Sequence, residues 1–382
     1  MRVFFKAIHR FLIEADIFLF VLCIICTIYG VVLISSVIRG AYSSGNEILI
    51  QIGASVIGVM LFVLFSYVDI DVIADKTIAL LIFSVLFISM LFLWGVGADE
   101  VGNRGWLRFW GIGIQPSEVV KVPYIIIVAK LVTDSKERKS LDTFISLSKV
   151  LLVTVLIVGL IFVSSSDVGN PLMYLLMLLV MLFIGGLNLR WFLLGGGLVA
   201  AVFPLIWNNF FKQYHRDRIL APFNPDVVDP TRRNVLWQPD LSVRAISNGG
   251  FLGQGLRNGR ITQAGLLPEQ HTDFIFSAAG EELGFIGCLL IVIILVMIII
   301  RCVYVGIKSN NTLGLLVCSG IAAMMIMQTL ENIGMCLGIL PVIGVTLPFF
   351  SYGGSSMVTC FAAMGIVSGI KMRPKPARFR TI

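Results

Sequence analysis

One carboxylate, Asp273, stands where a long polar loop of the sequence meets a long apolar run. His271 and Thr272 precede it, and three apolar residues follow at 274–276. A carboxylate at the mouth of a membrane helix is costly to desolvate, so it usually faces water or a substrate. From that position it could accept a proton from a hydroxyl as a general base. The other role open to Thr272 or Asp273 is to cap the next helix, whose first backbone N–H groups need acceptors.

A second group of ionisable residues consists of Glu118 and Lys121, which follow Pro116 and are three positions apart. Proline fits the first turn of a helix, and residues three apart share one helix face, so the two side chains are predicted to pair. An ion pair inside a membrane span is expensive and normally faces a cavity or another polar group. The alternative is that the two charges only neutralise each other near the membrane surface.

The long loop before Asp273, at about residues 211–273, is rich in arginine. Guanidinium groups fit phosphate oxygens in two-point contacts, so the loop suits a lipid with an anionic head. Ordinary attraction to lipid headgroups would explain the same charge. The arginines are Arg216, Arg218, Arg232, Arg233, Arg244, Arg257 and Arg260.

A third polar region runs from Asn332 to Ser356 and contains many glycines and prolines. Irregular backbone at membrane depth is tolerated only where it is buried in protein or lines a cavity. The broken helix of a transporter would have the same pattern. Glu331 is a further acid in this region, and pairing across helices is the only role we predict for it.

The elements that position these residues are predicted to be membrane helices. Apolar residues make up 57% of the chain and charged residues 13%, against roughly 25% charged in soluble domains. A length of 382 residues allows about ten spans of about 20 residues each. We therefore predict an all-α integral membrane protein, a polytopic bundle of about ten transmembrane helices in a single domain over 1–382. The spans are predicted at 16–38, 47–67, 77–97, 115–132, 146–163, 170–187, 191–210, 274–300, 312–337 and 349–370.

The charges predict how the chain crosses the membrane. Short segments on one side hold about 15 Lys and Arg residues, against about 3 on the other side. Both termini are therefore predicted to be cytoplasmic and the Asp273 loop extracytoplasmic, with residues 1–15 as a basic amphipathic helix on the inner leaflet. An anionic membrane surface explains the net charge of +7 without nucleic acid. The seven cysteines lie in or beside apolar runs and predict neither disulfides nor a metal cluster.

Three regions of the chain resemble the SEDS family of membrane proteins, which contains RodA, FtsW and SpoVE. The first is Pro-Glu-Gln-His-Thr-Asp-Phe-Ile-Phe at 268–276, followed by Glu-Glu-Leu-Gly at 281–284. The second is Trp106, nine residues before Gln-Pro-Ser-Glu at 115–118, with Lys121 three residues after that Glu. The third runs from Asn332 to Ser356 and includes Ser355. The long loop also follows the family spacing near its start and at 248–255.

The chain departs from the family pattern in three places. Gly105 and Gly113 stand where the family often has basic residues, with Arg104 and Arg108 nearby to supply the charge. At the start of the sixth span only Asp167 and Gly169 match. The loop segment 234–244 also differs, which suggests a local difference in substrate or partner.

The resemblance implies a glycosyltransferase that polymerises peptidoglycan from lipid II, a disaccharide-peptide carried on a polyprenyl pyrophosphate. It also implies that Asp273 is the catalytic residue. We interpret Asp273 as the general base on the acceptor sugar hydroxyl, with inversion at the sugar carbon and with cationic groups stabilising the departing pyrophosphate. The predicted substrate-binding residues are Lys121, Glu118, Trp106, Arg104, Arg216, Arg218, Arg257, His271, Asp167 and Ser355.

The resemblance further implies a bacterial cell membrane protein whose partner is a class B penicillin-binding protein, a transpeptidase with a single span. The short tails are more typical of the RodA branch than of the FtsW branch. No ligand spacing demands a metal, and a divalent cation (Mg²⁺ or Mn²⁺) that assists the pyrophosphate is left open. Two other functions fit the sequence: a carrier that moves lipid II across the membrane, and a non-catalytic scaffold for cell-wall enzymes.

Overall fold

The computed structural model describes residues 11, 13–38, 46–97, 104–109, 112–165, 169–209, 211, 213–309 and 311–373. The amphipathic helix predicted at 1–15 falls largely outside these residues. The helices in chain order are α1 (Ile17–Val37), α2 (Glu47–Tyr67), α3 (Ile70–Ala74), α4 (Thr77–Trp94), α5 (Pro116–Val119), α6 (Lys121–Glu137), α7 (Phe144–Ser165), α8 (Gly169–Gly185), α9 (Leu189–Asn209), α10 (Gln213–Leu220), α11 (Pro225–Val228), α12 (Trp237–Gly249), α13 (Arg260–Gln263), α14 (Ile275–Lys308), α15 (Thr312–Cys336) and α16 (Gly354–Met372). The strands are β1 (Gly95–Val96), β2 (Trp106–Phe109) and β3 (Ile112–Ile114).

The long helices confirm an all-α polytopic membrane protein. Eight helices in the described part of the chain are long and apolar enough to cross a bilayer: α1, α2, α4, α7, α9, α14, α15 and α16. The predicted spans at 115–132 and 170–187 correspond to α6 and α8, which have 17 residues each. Each predicted span therefore has a helix, while the count of ten crossings stays a prediction.

Several predicted boundaries are wrong, each for a local reason. α4 ends at Trp94 because Gly95 begins a strand, so the third span is not helical to 97. The fourth span consists of two helices, α5 and α6, which meet at Val120. α14 continues to Lys308 rather than ending at 300. α16 begins at Gly354 rather than 349, because the chain before it forms the irregular segment described below.

A small antiparallel sheet, which the sequence analysis did not predict, follows α4. β1 pairs with β2 so that Val96 lies opposite Trp106, and β2 pairs with β3 so that Arg108 lies opposite Gly113. Leu107 is fully buried and anchors the sheet in the core of the bundle. The sheet thereby places Trp106 directly before α5, close to the start of the Glu118 region.

Small residues let the helices of the bundle approach closely, as is common in membrane proteins. α16 packs along α2, where a Cβ built on Gly365 would be 2.6 Å from the backbone oxygen of Phe62. At one end of α1, Arg301 Nε donates to buried Asp16 at 2.7 Å. At the other end of α1, the backbone oxygen of Ser36 accepts a hydrogen bond from the long loop.

The long loop is organised around a buried acid, Asp229. Its carboxylate accepts hydrogen bonds from the N–H groups of Asn234 and Leu236 at 2.8 and 3.2 Å. Arg232 then contacts Asp240 in the first turn of α12 at 3.2 Å. These contacts give the segment 234–244, where the sequence departs from the family, a defined structure: a turn followed by a helix.

Replacing Asp229 with asparagine is expected to loosen this turn. Burial acts to raise the pKa of Asp229, but the N–H groups of Asn234 and Leu236 outweigh it and hold the pKa below its ordinary value. The stabilisation is therefore present above the unfolded-state pKa of about 3.9 and is lost as the pH falls through the lower folded-state pKa. Hydrogen exchange at Asn234 and Leu236 should show reduced protection in Asp229→Asn at pH 7, and in the unchanged protein only below about pH 4.

Asp226→Asn is the control for this prediction, because the Asp226 side chain is 87% exposed. We expect its exchange rates to match those of the unchanged protein. Full protection in Asp229→Asn at pH 7 would contradict the role assigned to Asp229.

Candidate functional site

Asp273 lies in a tight turn just before α14. The backbone N–H groups of Thr272, Asp273 and Phe274 donate to the carbonyl oxygen of Glu269 at 3.2, 3.0 and 3.1 Å. The N-cap of α14 is Phe274, which makes no side-chain cap bond, so the proposed capping of this helix by Thr272 or Asp273 is wrong. The Asp273 side chain is half-buried. We call residues 269–274 the Asp273 turn.

Asn332 of α15 fixes the backbone of this turn by a hydrogen bond. It is fully buried, and its Nδ2 donates to the carbonyl oxygens of Asp273 and Val345, both at 2.7 Å. One turn later on the same helix, Cys336 Sγ lies 3.7 Å from the Asp273 carbonyl oxygen. The backbone of the acid is therefore tied to α15 and to the irregular segment that follows it.

The segment before α16 holds the turn from a second side. Ser351 Oγ donates to the carbonyl oxygen of Thr272 at 2.5 Å, and the Tyr352 N–H donates to that of His271 at 2.8 Å. The rings of His271 and Tyr352 lie 5.5 Å apart. The first and third regions that resemble the family thus meet, although about 80 residues of chain separate them.

The carboxylate of Asp273 lies beside Gly344, an exposed glycine of the same irregular segment. A Cβ built on Gly344 would be 3.3 Å from Asp273 Oδ2, and the backbone there has a φ of +71°. Glycine adopts this left-handed conformation without steric cost and leaves the space beside the carboxylate open. A ligand could therefore approach the acid at this point.

The Glu118–Lys121 pair lies inside the bundle, and the predicted pairing is confirmed. Lys121 Nζ contacts Glu118 Oε1, and Lys121 has no exposed surface in this conformation. Glu118 Oε2 accepts a hydrogen bond from Gln328 Nε2 at 3.3 Å. Gln328 is four residues before Asn332, so one face of α15 contacts both the ion pair and the Asp273 turn.

Ser355 connects the sheet to the start of α16. Its hydroxyl oxygen accepts a hydrogen bond from the Gln115 N–H at 3.0 Å and donates to the Gly113 carbonyl oxygen at 3.4 Å. The Trp106 ring packs on Gly113, where a built Cβ would lie 3.2 Å from it. The departure from the family pattern at 113 therefore makes room for the indole. Because Ser351 holds the Asp273 turn, the segment 351–355 joins the turn to the sheet.

Asp167 lies outside the described residues, but Ser165 before it and Gly169 after it each contact a distant part of the chain. The Arg104 N–H donates to the carbonyl oxygen of Ser165 at 3.1 Å. A Cβ built on Gly169 would be 2.7 Å from the backbone oxygen of Ile343, the residue before Gly344. The start of α8 is therefore packed against the segment that borders the acid.

Among the loop arginines, Arg218 lies beside the irregular segment that leads to Gly344. Its guanidinium lies 4.4 Å from the Tyr214 ring centroid. It also lines a small crevice together with Pro341 and Val342, two residues before Gly344. This position makes Arg218 the loop cation best placed to meet a ligand that reaches Asp273.

The other predicted cations lie on separate elements. Arg216 donates to the carbonyl oxygen of Asn208 at the end of α9, at 3.0 Å. Arg104 is exposed in front of β2, and Arg257 is exposed between α12 and α13. The structure therefore does not tie all the predicted cations to one anion site.

Two acids that follow the Asp273 turn, Glu281 and Glu282, are occupied by structural hydrogen bonds. Glu281 is fully buried and accepts the N–H groups of Ile261 and Thr262 at 2.9 and 2.8 Å. Glu282 accepts the Ser36 hydroxyl at 2.6 Å. These carboxylates attach α13 and α1 to α14 and are buried, whereas the Asp273 side chain is half-buried.

The sequence analysis missed two amides that position the site, Gln51 and Gln328. Gln51 of α2 donates to the Ser351 carbonyl oxygen at 3.2 Å and accepts the Gly353 N–H at 3.1 Å. Gln51 stands among apolar residues of its span, whereas Gln328 lies one turn before Asn332 on the same helix. A buried amide in a membrane helix needs hydrogen-bond partners, so an amide within a membrane span was the signal that could have found them.

Metal ligands do not converge in the part of the chain that the structure describes. No three His, Cys, Asp or Glu side chains there could hold an ion together. No observation in the described residues tests the divalent cation that the sequence analysis left open.

Together, the fold and the site define a multi-pass membrane protein with a half-buried acid beside Gly344 and a buried Glu118–Lys121 pair. The family model described as "Cell cycle protein", for FtsW, RodA and SpoVE, matches residues 16–375. The chain belongs to this family, the SEDS family recognised from its motifs.

Curated relatives extend over most or all of the chain. The probable peptidoglycan glycosyltransferase FtsW of Geobacter metallireducens is 32% identical over 377 residues, which cover 97% of each chain. The peptidoglycan glycosyltransferase MrdB of Escherichia coli K12 is 33% identical over 280 residues, 73% of this chain and 74% of that one.

Solved structures share the fold. A chain from a structure described as "Structural coordination of polymerization and crosslinking by a peptidoglycan synthase complex" has a TM-score of 0.77 at 25% identity, and the match covers 97% of this chain and all of that one. The rod shape determining protein RodA of Thermus thermophilus has a TM-score of 0.67 at 24% identity over 94% of this chain and 97% of that one.

Proposed function

We propose that this protein polymerises the glycan strands of peptidoglycan from lipid II, with Asp273 as the general base. Relatives named peptidoglycan glycosyltransferase support the reaction class. The observation that carries the residue assignment is the position of Asp273, whose backbone is fixed by Asn332 while its carboxylate adjoins the exposed Gly344.

In the proposed reaction, the Asp273 carboxylate takes the proton of the acceptor sugar hydroxyl as that oxygen bonds to the anomeric carbon of the donor. The bond from that carbon to the carrier pyrophosphate breaks, and the pyrophosphate leaves with its polyprenyl chain. Attack from the face opposite the leaving group inverts the carbon. Because pyrophosphate is a good leaving group, one carboxylate suffices and no general acid is needed.

Arg218 and Arg104 are the cations that we propose for the departing phosphates. Arg218 lines the crevice beside Val342, and Arg104 is exposed and is bonded through its backbone to Ser165 at the end of α7. Lys121 is fully buried, so it would contribute its charge from the interior or after its pair with Glu118 opens. Fixed charges near a developing anion stabilise the transition state.

We also propose that the Asp273 end of the bundle is extracytoplasmic, that both termini are cytoplasmic, and that the membrane is the bacterial cell membrane. The charge bias of the short loops supports this orientation. The structural likeness to a peptidoglycan synthase complex supports a class B penicillin-binding protein as partner. Depletion in cells would separate the roles, since round cells would indicate elongation and filaments would indicate division.

The test is reconstitution of the purified protein and its transpeptidase partner in proteoliposomes that contain labelled lipid II. We expect polymeric glycan, resolved by gel electrophoresis. Transfer of lipid II between leaflets without polymer would favour a carrier. Partner binding with neither polymer nor transfer would favour a scaffold, and either result would refute the polymerase.

Replacing Gly344 with alanine is expected to slow polymerisation by more than its loss of folding stability explains. The new Cβ would press against Asp273 Oδ2, and a left-handed backbone costs an alanine about 1–2 kcal/mol. Gly186→Ala is the matched control, because Gly186 has a φ of +90° and open space around it. Thermal unfolding should report a similar loss in both variants, and polymer assays a lower rate in Gly344→Ala alone. Equal polymerisation rates in the two variants would show that Gly344 is not part of the site.

A further inference from the structure

α14 is interrupted at Gly284, where the backbone is not helical (φ +67°, ψ −164°). Such a break leaves backbone groups without partners inside the helix, and these must be satisfied elsewhere at membrane depth. The segment 250–256 supplies the partners. The hydrogen bonds, donor first, run from Gln254 to Glu281, Gly255 to Glu282, Phe285 to Gly250 and Ile286 to Phe251, at 3.0, 2.9, 2.9 and 3.3 Å.

The segment lies directly on the backbone of α14. A Cβ built on Gly284 would be 2.3 Å from the Gly253 nitrogen, and one built on Gly253 would be 2.2 Å from the Glu282 carbonyl oxygen. Neither position leaves room for a side chain. The conformation of the segment is therefore fixed by the helix rather than by its own side chains.

This rigid segment presents large apolar side chains outward. Phe251 is 66% exposed and Leu252 is 74% exposed. The Phe251 ring stacks on Phe285 of α14, with centroids 5.8 Å apart and planes 19° apart. Exposed apolar groups on a segment that cannot fold inward indicate a surface that something apolar covers.

The exposed face of α14 indicates what covers Phe251 and Leu252. Phe285, Leu289 and Ile293 recur at helical spacing and are 54%, 43% and 44% exposed, on a helix long and apolar enough to cross a bilayer. This face of a membrane span contacts lipid chains unless another protein covers it. Phe251 continues the same face at its outer end through the stacked rings.

Charges next to the segment fit a membrane surface. Arg257 and Arg260 follow it and are exposed, and neither side chain has an acceptor among the residues that the structure describes. Apolar residues followed by arginine match the change from acyl chains to phosphate groups across a leaflet boundary. Arg257 was predicted from the family resemblance as a contact of the substrate. Its position beside the exposed apolar residues suits the lipid phosphates as its partner.

We infer that the segment 250–256 is inserted into the outer surface of the bilayer, with Phe251 and Leu252 among the acyl chains and Arg257 at the level of the lipid phosphates. The partner is the lipid surface itself. The inference rests on the burial pattern and the backbone geometry, and it holds whether or not the protein polymerises glycan.

The insertion has a consequence for the site. The segment leads into α13, whose Thr262 carbonyl oxygen accepts a hydrogen bond from Gln270 of the Asp273 turn at 3.1 Å. Glu281 holds the same α13 from the helix side. The depth at which Phe251 and Leu252 sit therefore helps to set the height of Asp273 above the acyl chains, where the head of a lipid-linked molecule lies.

The test is a spin label at Leu252→Cys in the full chain, reconstituted in vesicles of phosphatidylethanolamine and phosphatidylglycerol. The described native cysteines are all buried, so the label should react with the introduced thiol. Power saturation compares collisions with oxygen, which enters acyl chains, and with a water-soluble nickel chelate. We expect oxygen collisions to dominate at position 252.

Val227→Cys is the matched control, because Val227 is 73% exposed and apolar like Leu252 but follows the exposed Asp226. We expect nickel collisions to dominate there. Nickel dominance at 252 would overturn the inference, and so would an immobilised label that neither reagent reaches, since that result means a protein contact. If Leu252→Cys fails to fold, quenching of Phe251→Trp by brominated lipids gives the same comparison.

Discussion

Asp273→Asn is expected to abolish glycan polymerisation while leaving the fold intact. The amide has the size of the carboxylate but cannot take a proton from the acceptor hydroxyl. General base catalysis contributes about 10²- to 10⁴-fold to a rate, so polymer should fall by at least about 100-fold. The backbone contacts with Asn332 use the Asp273 carbonyl oxygen, so they survive the substitution. Polymer yield from labelled lipid II and a thermal melt in detergent measure the two effects.

Glu269→Gln is the matched control for this experiment. It makes the same charge change in the same turn, and Glu269 is exposed with its Oε2 accepting the Thr272 hydroxyl at 2.9 Å. We expect near-normal polymer from this variant. A rate for Asp273→Asn within twofold of the unchanged protein would end the assignment of Asp273 as the base.

Asn332→Asp is expected to produce the second largest loss. The substitution replaces a donor of two hydrogen bonds by a carboxylate oxygen that faces the carbonyl oxygens of Asp273 and Val345. A buried acceptor left without its donor costs about 1–3 kcal/mol, and two are affected here. Because about 1.4 kcal/mol corresponds to tenfold in rate, displacement of the turn should lower polymerisation by about tenfold to a hundredfold. The loss should appear in kcat more than in KM, since Asn332 positions the acid without touching substrate.

Asn311→Ala separates positioning from general destabilisation of α15. Asn311 caps the opposite end of that helix through the Leu313 N–H at 3.1 Å, and loss of such a cap costs about 1 kcal/mol. A smaller lowering of the melting temperature, with normal kcat, is expected. If Asn311→Ala and Asn332→Asp lose activity in proportion to their stability, the positioning role of Asn332 is refuted.

The spans were predictable because the length of each apolar run in the sequence gives the approximate length of the membrane helix. The second predicted span, 47–67, coincides with α2, and the span 312–337 differs from α15 by one residue. The strands were not predictable, since β1 to β3 have two to four residues each and no periodicity can be read from so few. The break in α14 at Gly284 was also missed, because an isolated glycine is tolerated inside a helical pattern and does not by itself indicate a break.

The hydrogen bonds that connect the candidate site could not be predicted from the sequence. Asp273 was identified through the family resemblance, whereas the residues alone gave a cap and a base as alternatives. The bond from Gln51 to Ser351 joins positions 300 apart in the chain, and no local pattern encodes that distance. The complete burial of Lys121 was equally invisible, because it depends on helices that pack around it from distant parts of the sequence.

The two neighbouring carboxylates after the turn affect how a mutational survey of this region should be interpreted. Glu281→Ala would strip acceptors from the start of α13 and release the connection that ends at Gln270. Such a variant would look catalytically dead in a complementation screen, just as a true loss of the base would. Only a survey that measures protein abundance and melting temperature as well as growth would distinguish a structural acid such as Glu281 from an acid that takes part in the chemistry.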